Sequence, residues 1–454
     1  MVRRSDDGNR YGQHRGYEYF IEKHFVLSLG VTFIVTLGVL IGLLYLSACI
    51  PKEAIRENLL ESAYYLEANE DEFYYRKENN RRTLIDNYAD TIEFNIMYSV
   101  EEEHRLESLL ISPFYSDNAD EEYQMISILR ERIEEEKEID TVYDRYWHGI
   151  QMVMRPLFVM FDIVQIRILM ISVLIVGLAY LVFALWKKSQ KALALSMIPA
   201  AILISYPMLG MCMEYVPTFF IMLMLSLACA KWYQSKKMVL MLLFISGMCC
   251  GFFDILTTET VAVVIPMAIV LGLREDKGIL DRFWKEILFV VSSGFLWGLG
   301  YLGVFGSKWL FSSLMLGSNR FAPAISMMLY RQGAEVAVES GSGLSQPMES
   351  LARNLRLLLG FPLEMEYGSV LMITGVILGI VACFVYLYRK TGRDCVLPAL
   401  LALLAFVPVF RIMFLNSHSY QHSYFTYRAL FASICCMITA VVKVVDGNLL
   451  KKKK

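Results

Sequence analysis

The sequence predicts an all-α polytopic membrane protein with about ten transmembrane helices and a helical first extracytoplasmic loop. Hydrophobic residues make up 56% of the chain and the mean hydropathy is +0.45, values that exclude an ordinary soluble protein. The apolar residues form runs long enough to cross a bilayer, and Lys and Arg collect in alternate connections between these runs. We therefore expect a multi-pass protein of the cell membrane.

The predicted elements follow one another in a simple order. The first apolar run is too long for the core of a signal peptide, so we interpret it as an anchor. The predicted boundaries are a cytoplasmic tail (1–24), the first transmembrane helix (25–49), an extracytoplasmic loop with amphipathic and juxtamembrane helices (50–161), transmembrane helices 2–7 (162–305), a second extracytoplasmic loop (306–367), transmembrane helices 8–10 (368–445) and a basic cytoplasmic tail (446–454).

The orientation follows from the basic residues in the short connections. One set of alternate connections holds nearly all of them, including Lys187, Lys236, Arg282 and Arg389. Short loops rich in Lys and Arg stay on the cytoplasmic side of a membrane. Both termini are therefore expected in the cytoplasm, and we infer a bacterial source from the absence of sorting signals and from the resemblance described below.

The two long loops are then extracytoplasmic. Residues 51–146 carry 26 Asp/Glu against 11 Lys/Arg, a net charge of −15 in a chain of net charge −2. Apolar residues from Ile55 to Leu66 recur at helical spacing and predict an amphipathic helix on the membrane surface. A similar stripe predicts a helix over 123–139. In the second loop, the Gly/Ser stretch at 339–345 is either a flexible lid or a disordered spacer.

Three carboxylates of the first loop fall on one helical face. Asp86, Asp90 and Glu93 are spaced i, i+4 and i+7. Paired carboxylates can supply a general base whose pKa is raised by its acidic neighbour. Their oxygens also suit a divalent cation such as Mg²⁺ or Mn²⁺, although the metal ligands stay unknown. The alternative is a solvated acidic face within an acidic loop.

A second polar group precedes the second span. Arg145, Trp147 and His148 lie close together in the sequence, and Arg155 follows them. Aromatic side chains stack on sugar faces, but they also anchor proteins at membrane interfaces. The segment 147–161 should lie flat on the membrane. Anchoring explains Trp147 without explaining His148, so a binding role and an anchoring role both stay open.

Two acids mark the connection between the fifth and sixth predicted spans. Asp254 ends one span and Glu259 opens the next. Because Phe252 and Phe253 precede Asp254, we expect that carboxylate to be partly buried. Charges at such positions are costly and therefore indicate function. The alternative is a polar turn that reaches water.

A dense set of hydrogen-bonding side chains lies between the last two spans: Asn416, His418, His422, Tyr427 and Arg428. The two histidines share a helical face, but no third ligand is near, so a zinc site is weakly indicated. The guanidinium of Arg428 can form a bidentate hydrogen bond with a phosphate, and Tyr427 could line a sugar pocket. The alternative is an interfacial tyrosine belt with a snorkelling arginine.

This layout resembles the GT-C glycosyltransferases, membrane enzymes that move a sugar from a polyprenyl-phosphate carrier to an acceptor outside the cytoplasm. The resemblance is architectural and covers about residues 20–445: one span, a long acidic outer loop, six spans, a second outer loop and the remaining spans. In that family the first outer loop carries an essential Asp or Glu, and this loop offers Asp86 and Asp90. The chain departs from the family in having only Glu53 and Glu57 soon after the first span.

The resemblance implies a mechanism and its partners. Asp86 or Asp90 would deprotonate the acceptor, and Arg428, helped by Arg145 or Arg155, would hold the carrier phosphate. The expected partners are a polyprenyl-phosphate-linked sugar, a cell-envelope glycan or polymer acceptor and the lipid bilayer, with no nucleic acid. The residues expected to bind sugar or acceptor are Trp147, His148, Asp254, Glu259, Asn416, His418, His422 and Tyr427.

Two other function classes stay open. A lipid or polysaccharide flippase or transporter would share the membrane architecture, although ion-coupled transporters place charges near the midplane. A non-enzymatic membrane scaffold would use the acidic loop to bind an envelope partner. The scaffold predicts that the polar residues at the span ends do not converge.

Overall fold

The structure, a computed structural model, describes residues 23–78, 80–117, 124–333, 346–361 and 396–452. The span predicted at 368–388, the Gly/Ser stretch at 339–345 and most of the predicted N-terminal tail lie outside the described residues.

The described chain is mostly helical. Its α-helices are α1 (Phe25–Ala48), α2 (Lys52–Asn69), α3 (Asn87–Tyr98), α4 (Arg105–Ile111), α5 (Met125–Glu134), α6 (Gln151–Phe158), α7 (Ile163–Lys187), α8 (Lys191–Leu203), α9 (Val216–Trp232), α10 (Lys236–Phe253), α11 (Val261–Asp276), α12 (Phe283–Leu316), α13 (Phe321–Arg331), α14 (Gln346–Leu359), α15 (Val396–Phe414), α16 (Asn416–Gln421), α17 (Ser423–Thr426) and α18 (Leu430–Lys452). Short 3-10 turns cover Arg81–Thr83, Tyr206–Met211, Met213–Tyr215 and Tyr427–Ala429.

Seven helical segments of the described chain are long and apolar enough to cross a membrane. They are α1, α7, α10, α12, α15, Met213–Trp232 and Ser423–Val445. Two other predicted spans are shorter: α8 has 13 residues and α11 has 16, whereas about 20 residues cover the hydrocarbon core. The chain is therefore an all-α membrane protein, and the total of about ten spans stays a prediction.

Backbone breaks explain the short helices. Ser205 has a positive φ of 54°, and the chain then forms a 3-10 turn instead of continuing α8. Leu256 also has a positive φ, 72°, in the connection between α10 and α11. A non-glycine residue rarely adopts this conformation, so each position interrupts a helix. Apolar composition alone does not reveal such breaks.

Helix α12 is longer than the sequence predicts. It continues to Leu316, past the expected loop start at 306, and ends at Gly317, whose φ of 61° forms a left-handed cap. Within the predicted second loop, the described residues after Gly317 include the helices α13 and α14.

The first loop folds into a small domain whose apolar core is continuous with that of the helical bundle. Ile55, Leu59, Ala63 and Leu66 of α2 are buried, and this stripe packs against α3 and α5. The predicted apolar stripe of α2 is thus present, but it faces protein rather than a bilayer. Two short antiparallel hairpins complete the domain: β1 (Phe73–Tyr75) pairs with β2 (Leu84–Asp86), and β3 (Pro113–Phe114) pairs with β4 (Thr141–Val142).

Trp147 joins this domain to the helical bundle. Its ring stacks on Phe252 at 5.3 Å, and its Nε1 donates to the Val304 carbonyl at 2.9 Å. Lys308 of α12 is fully buried and donates to the Leu109 carbonyl at 2.8 Å. Trp147 therefore packs between α10 and α12, whereas the following helix α6 packs mainly against α1. That the segment 147–161 lies flat on the membrane stays a prediction.

Helices α10 and α12 pack at close range because glycines face the opposite backbone. A Cβ on Gly251 would lie 2.6 Å from the Tyr301 carbonyl oxygen, and one on Gly247 would overlap the Trp297 carbonyl. Small residues allow such close approach between helices in membranes.

We expect Gly247→Ala to destabilise the protein by about 1–3 kcal/mol, because the added methyl group must push the two helices apart. Gly294→Ala is the matched control, since nothing lies within 4 Å of its Cβ position. Melting temperatures in detergent measure the difference. Equal melting temperatures for the two variants would contradict this packing.

Candidate functional site

Buried polar side chains converge at the end of the bundle that carries the first loop. We call this set the polar layer. Its members come from the first loop, the starts of α9 and α11, the end of α15 and the connection to α18. They are Asp86, Asp90, Glu93, His148, Glu214, Asp254, Glu259, Arg411, His418, His422 and Arg428, of which all but the partly exposed His422 are buried.

Asp86 connects the first loop to the last polar segment. Its Oδ1 accepts a hydrogen bond from the Ala89 amide at 3.0 Å, so it caps α3. Its Oδ2 accepts from the Tyr424 hydroxyl at 2.7 Å, across 338 positions of sequence. Burial raises the pKa of Asp86 above its usual range.

Asp90 lies one turn further along α3 and is 1% exposed. Its Oδ1 accepts from the Met213 amide at 2.8 Å, whereas its buried Oδ2 has no hydrogen-bond partner in the described chain. Burial raises the pKa of Asp90 to about 8, although the Arg167 guanidinium acts in the opposite direction. This burial excludes the alternative of a solvated acidic face.

Glu93, one turn after Asp90 on α3, pairs with His148. The Glu93 Oε1 lies 2.6 Å from Nδ1 of His148, and Nε2 of the same ring lies 2.9 Å from the Tyr143 carbonyl. A carbonyl oxygen only accepts, so Nε2 carries a proton. Both ring nitrogens are thus engaged by protein groups, which gives His148 a positioning role in place of the predicted direct sugar contact.

Glu259 and Arg411 form a two-point ion pair. Arg411 Nε donates to Oε1 of Glu259 at 2.7 Å and its Nη2 donates to Oε2 at 3.2 Å. Arg411 also donates to Ser419 and to the Leu256 carbonyl. The pair ties α11 and α15 to the segment that contains the histidines.

The two histidines extend this network toward Asp86. Their rings lie 4.7 Å apart, and Nε2 of His418 is 2.9 Å from the Leu256 carbonyl. Nδ1 of His422 is 3.2 Å from the Tyr424 hydroxyl. Because that hydroxyl donates its single proton to Asp86, Nδ1 of His422 must be the donor. Burial lowers the pKa of His422 to about 4 and also lowers that of His418, so both rings are neutral near pH 7.

Asp254 shapes the turn that presents the Leu256 carbonyl. Its carboxylate accepts from the amides of Leu256 at 3.0 Å and Thr257 at 3.1 Å, and from the Thr257 hydroxyl. Burial and the neighbouring Glu259 carboxylate raise the pKa of Asp254 to about 7. Asp254 is thus buried, as the sequence predicts, and it organises backbone.

An apolar cavity of about 340 Å³ adjoins the Glu259–Arg411 pair. Its walls are mainly apolar and aromatic side chains of α12, α13 and α15, while Arg145, Arg331, Arg411 and Glu259 contribute its charged groups. The Arg145 and Arg331 guanidinium groups lie 4.9 Å and 5.6 Å from the rings of Tyr143 and Tyr146. Neither arginine has a carboxylate partner among the described residues. This geometry suits an amphiphile with a hydrocarbon tail and an anionic head.

Several predicted binding residues are packed into the interior instead. Arg155 donates to the carbonyls of Ile50 and Met97 through all three guanidinium nitrogens, which leaves it poorly placed for a phosphate. The Tyr427 hydroxyl donates to the Ile204 carbonyl at 3.0 Å, and the ring is fully buried. The polar groups of Arg155 and Tyr427 are thus bound by backbone carbonyls, as is that of Trp147, and their predicted ligand contacts stay predictions.

Arg428 is also buried, with no exposed surface. Its guanidinium lies 4.9 Å from the ring of Tyr215 and 5.3 Å from that of Tyr427. Nη2 donates to the Arg82 carbonyl at 3.2 Å, whereas Nε and Nη1 have no partner in the described chain. Arg428 thus borders the acidic side of the polar layer and does not line the apolar cavity. Asn416 contacts the end of α13, donating to the Gln332 carbonyl at 2.9 Å.

Glu214 and Arg331 belong to this site although the sequence patterns did not single them out. Glu214 is a single acid at the start of an apolar run, which is a recognisable signal for a functional position. Arg331 lies on α13 in a predicted loop, and no local pattern distinguishes it from the other loop arginines.

The described residues hold no group of three or more His, Cys, Asp or Glu placed to bind a metal ion. No protein-family model matches the chain, and neither a curated protein nor a solved structure matches it.

Proposed function

We propose that this chain is a membrane glycosyltransferase that transfers a sugar from a polyprenyl-phosphate carrier to an extracytoplasmic cell-envelope acceptor. The observation that carries the proposal is the hydrogen bond from Tyr424 to Asp86. It joins the carboxylates of the first loop to the last polar segment in one buried layer, beside an apolar cavity that carries arginines. A scaffold would have no need for this convergence.

The apolar cavity is the proposed carrier site. The first isoprene units would lie against the aromatic walls of α12 and α15, and Arg145 and Arg331 would face the phosphate. Their positive charge would stabilise the negative charge that develops on the phosphate as its bond to the sugar breaks. Such electrostatic stabilisation is usually the largest single contribution to catalysis. Arg331 thus takes the place that the sequence suggested for Arg428.

Asp90 is the proposed general base. Both carboxylate oxygens of Asp86 already accept hydrogen bonds from protein groups, whereas Oδ2 of Asp90 has none. A base whose pKa is about 8 accepts a proton readily from an acceptor hydroxyl near neutral pH. Asp86, Tyr424 and His422 would then hold the geometry around it.

The test is sugar transfer by the purified full chain in proteoliposomes. The donors are polyprenyl phosphates that carry a radiolabelled hexose, N-acetylhexosamine or hexosamine, and envelope polymers serve as acceptors. We expect label to move to a polymer while free polyprenyl phosphate accumulates. Glu57→Gln, an exposed position of the first loop, is the control variant and should behave as wild type.

A flippase gives a different result in the same vesicles. The labelled lipid would change leaflet, as measured by its accessibility to periodate, while its glycosidic bond stayed intact. That outcome, with no polyprenyl phosphate released from any donor, would contradict the proposed transfer.

A further inference from the structure

Three buried carboxylates lie together where α3 meets the start of α9. We call Asp86, Asp90 and Glu214 the acid pocket. The Met213 amide, adjacent to Glu214, donates to Asp90, and the Asp86 amide donates to Sγ of Cys212 at 3.2 Å. Glu214 interacts electrostatically with both aspartates. Two segments more than 120 positions apart thus place three carboxyl groups in one interior region.

Unlike Glu259, Glu93 and Glu70, the carboxyl groups of the acid pocket have no Arg, Lys or His side chain as a partner in the described chain. Glu259 pairs with Arg411, Glu93 with His148, and Glu70 with Arg167 at 3.0 Å. None of the three pocket carboxylates forms an ion pair within the described chain. The charge of Arg167 acts on Asp90, but its guanidinium is paired with Glu70, and Arg428 stacks on Tyr215 instead of pairing with an acid.

Unpartnered polar atoms provide the second observation. Oδ2 of Asp90, Oε1 of Glu214 and the hydroxyl of Tyr215 are buried and have no hydrogen-bond partner in the described chain. Tyr215 is 1% exposed and lies next to Glu214 in the 3-10 turn. Buried polar groups are normally satisfied, so a set of unsatisfied acceptors around one region indicates a ligand that donates hydrogen bonds.

The charge and the number of acceptors define that ligand. A protonated primary amine has three N–H donors and no acceptor, and its charge offsets the excess of carboxylates. A divalent cation would need about six oxygen ligands, more than the unpartnered oxygens found here. A neutral hydroxyl has a single donor, fewer than the three unpartnered oxygens found here.

We propose that the acid pocket binds a protonated primary amine carried by the transferred sugar or by the acceptor. This inference rests on the proposed function for the identity of the two molecules, but not for the recognition of the amine. It adds a substrate class, an amino sugar or an amine-bearing polymer, that a general sugar transfer does not require.

The test compares ligands that differ only in the charge of one nitrogen, using the full chain in nanodiscs at pH 7. In the donor arm, polyprenyl-phosphate glucosamine is compared with polyprenyl-phosphate N-acetylglucosamine. In the acceptor arm, a glucosamine oligomer is compared with its N-acetylated form. Because charge-assisted hydrogen bonds are about twice as strong as neutral ones, we expect the amine to bind at least about 10-fold more tightly in one arm. The arm that shows the preference identifies the molecule that carries the amine.

Two variants check the location of the amine. Glu214→Gln and Asp90→Asn should each reduce the preference for the amine to less than about 3-fold, whereas Glu57→Gln should keep it. If one variant does not fold, the other variant and the wild-type comparison decide whether the amine binds in the acid pocket. Equal affinity for amine and acetamide in both arms would overturn the proposal. A preference for the amine that persists in every folded variant of the acid pocket would also overturn the proposal.

A third titration, with MgCl₂ alone, tests the rival ligand. Saturable Mg²⁺ binding that is lost in Glu214→Gln, without any preference for the amine, would assign the pocket to a divalent cation and overturn the proposal. These experiments distinguish failure of the amine inference from failure of the proposed function. Transfer of neutral sugars without amine preference removes only this inference, and amine preference without any transfer removes only the proposed function.

Discussion

Replacing Asp90 by Asn is expected to lower the rate of sugar transfer by about 100- to 10,000-fold, the usual contribution of a general base. Asn keeps the shape of the side chain and can still accept the hydrogen bond from the Met213 amide, but it cannot take a proton. Release of polyprenyl phosphate measures the effect. Glu57→Gln is the matched control, since it also removes one carboxylate from the first loop, at an exposed position.

The pH dependence provides a second signature of the same residue. The base works only when deprotonated, and burial raises the pKa of Asp90 to about 8. The wild-type rate should therefore rise with pH and level off above about 8. The residual rate of Asp90→Asn should not show this rise with pH. A wild-type rate that is flat from pH 6 to 9 would contradict the assignment.

Asp90→Asn should not owe its inactivity to unfolding. A carboxyl group whose pKa is higher in the folded than in the unfolded state disfavours folding once the solution pH exceeds its unfolded value. This cost grows as pH rises through the folded pKa of about 8. A neutral Asn avoids the cost, so the variant should melt no lower than wild type at pH 8.

The second large effect is expected from Arg411→Met, which should destabilise the protein by about 3–5 kcal/mol. Arg411 and Glu259 are both nearly buried, and they form two hydrogen bonds with each other. Removing the cation leaves the Glu259 carboxylate in the interior without a partner, which costs more than the loss of the pair itself. The double variant Arg411→Met with Glu259→Gln removes both charges and should recover part of the loss.

Thermal unfolding in detergent measures this effect, and a surface pair provides the control. Arg130 bonds Glu67 at 2.8 Å and Glu134 at 2.9 Å, but these partners are largely exposed. Arg130→Met should therefore cost less than about 1 kcal/mol. Similar melting temperatures for Arg411→Met and Arg130→Met would show that the buried pair does not support the polar layer.

Much of the site could be predicted because span ends are visible in a sequence. Long apolar runs set the positions of the helix ends, and polar residues such as Asp254, Glu259 and His418 stand next to those ends. Helices that alternate in direction bring every second connection to the same side. The meeting of Asp86 with the segment around Tyr424 is therefore consistent with what the order of spans predicts.

Burial and partner choice could not be predicted in the same way. Whether Asp90 faces water or the interior depends on the turn at Met213, which is 123 positions away. Arg428 follows Tyr427 in the sequence, yet the chain folds so that the rings of Tyr427 and the distant Tyr215 enclose it in the interior. Arg331 becomes a candidate only because α13 packs next to α12 and α16.

Photo-crosslinking of the carrier tests the central claim most directly, because it asks whether the cavity beside the polar layer holds a lipid phosphate. A polyprenyl phosphate with a diazirine near the phosphate would be bound to the full chain in nanodiscs and the labelled peptides identified. We predict labelling of α12, α13 and α15, prevented by excess polyprenyl phosphate but not by polyprenol, and reduced by Arg331→Gln. Labelling confined to the apolar groove of α7 and α8, lined by Ile175, Phe183 and Ile198, or equal competition by polyprenol, would contradict the account.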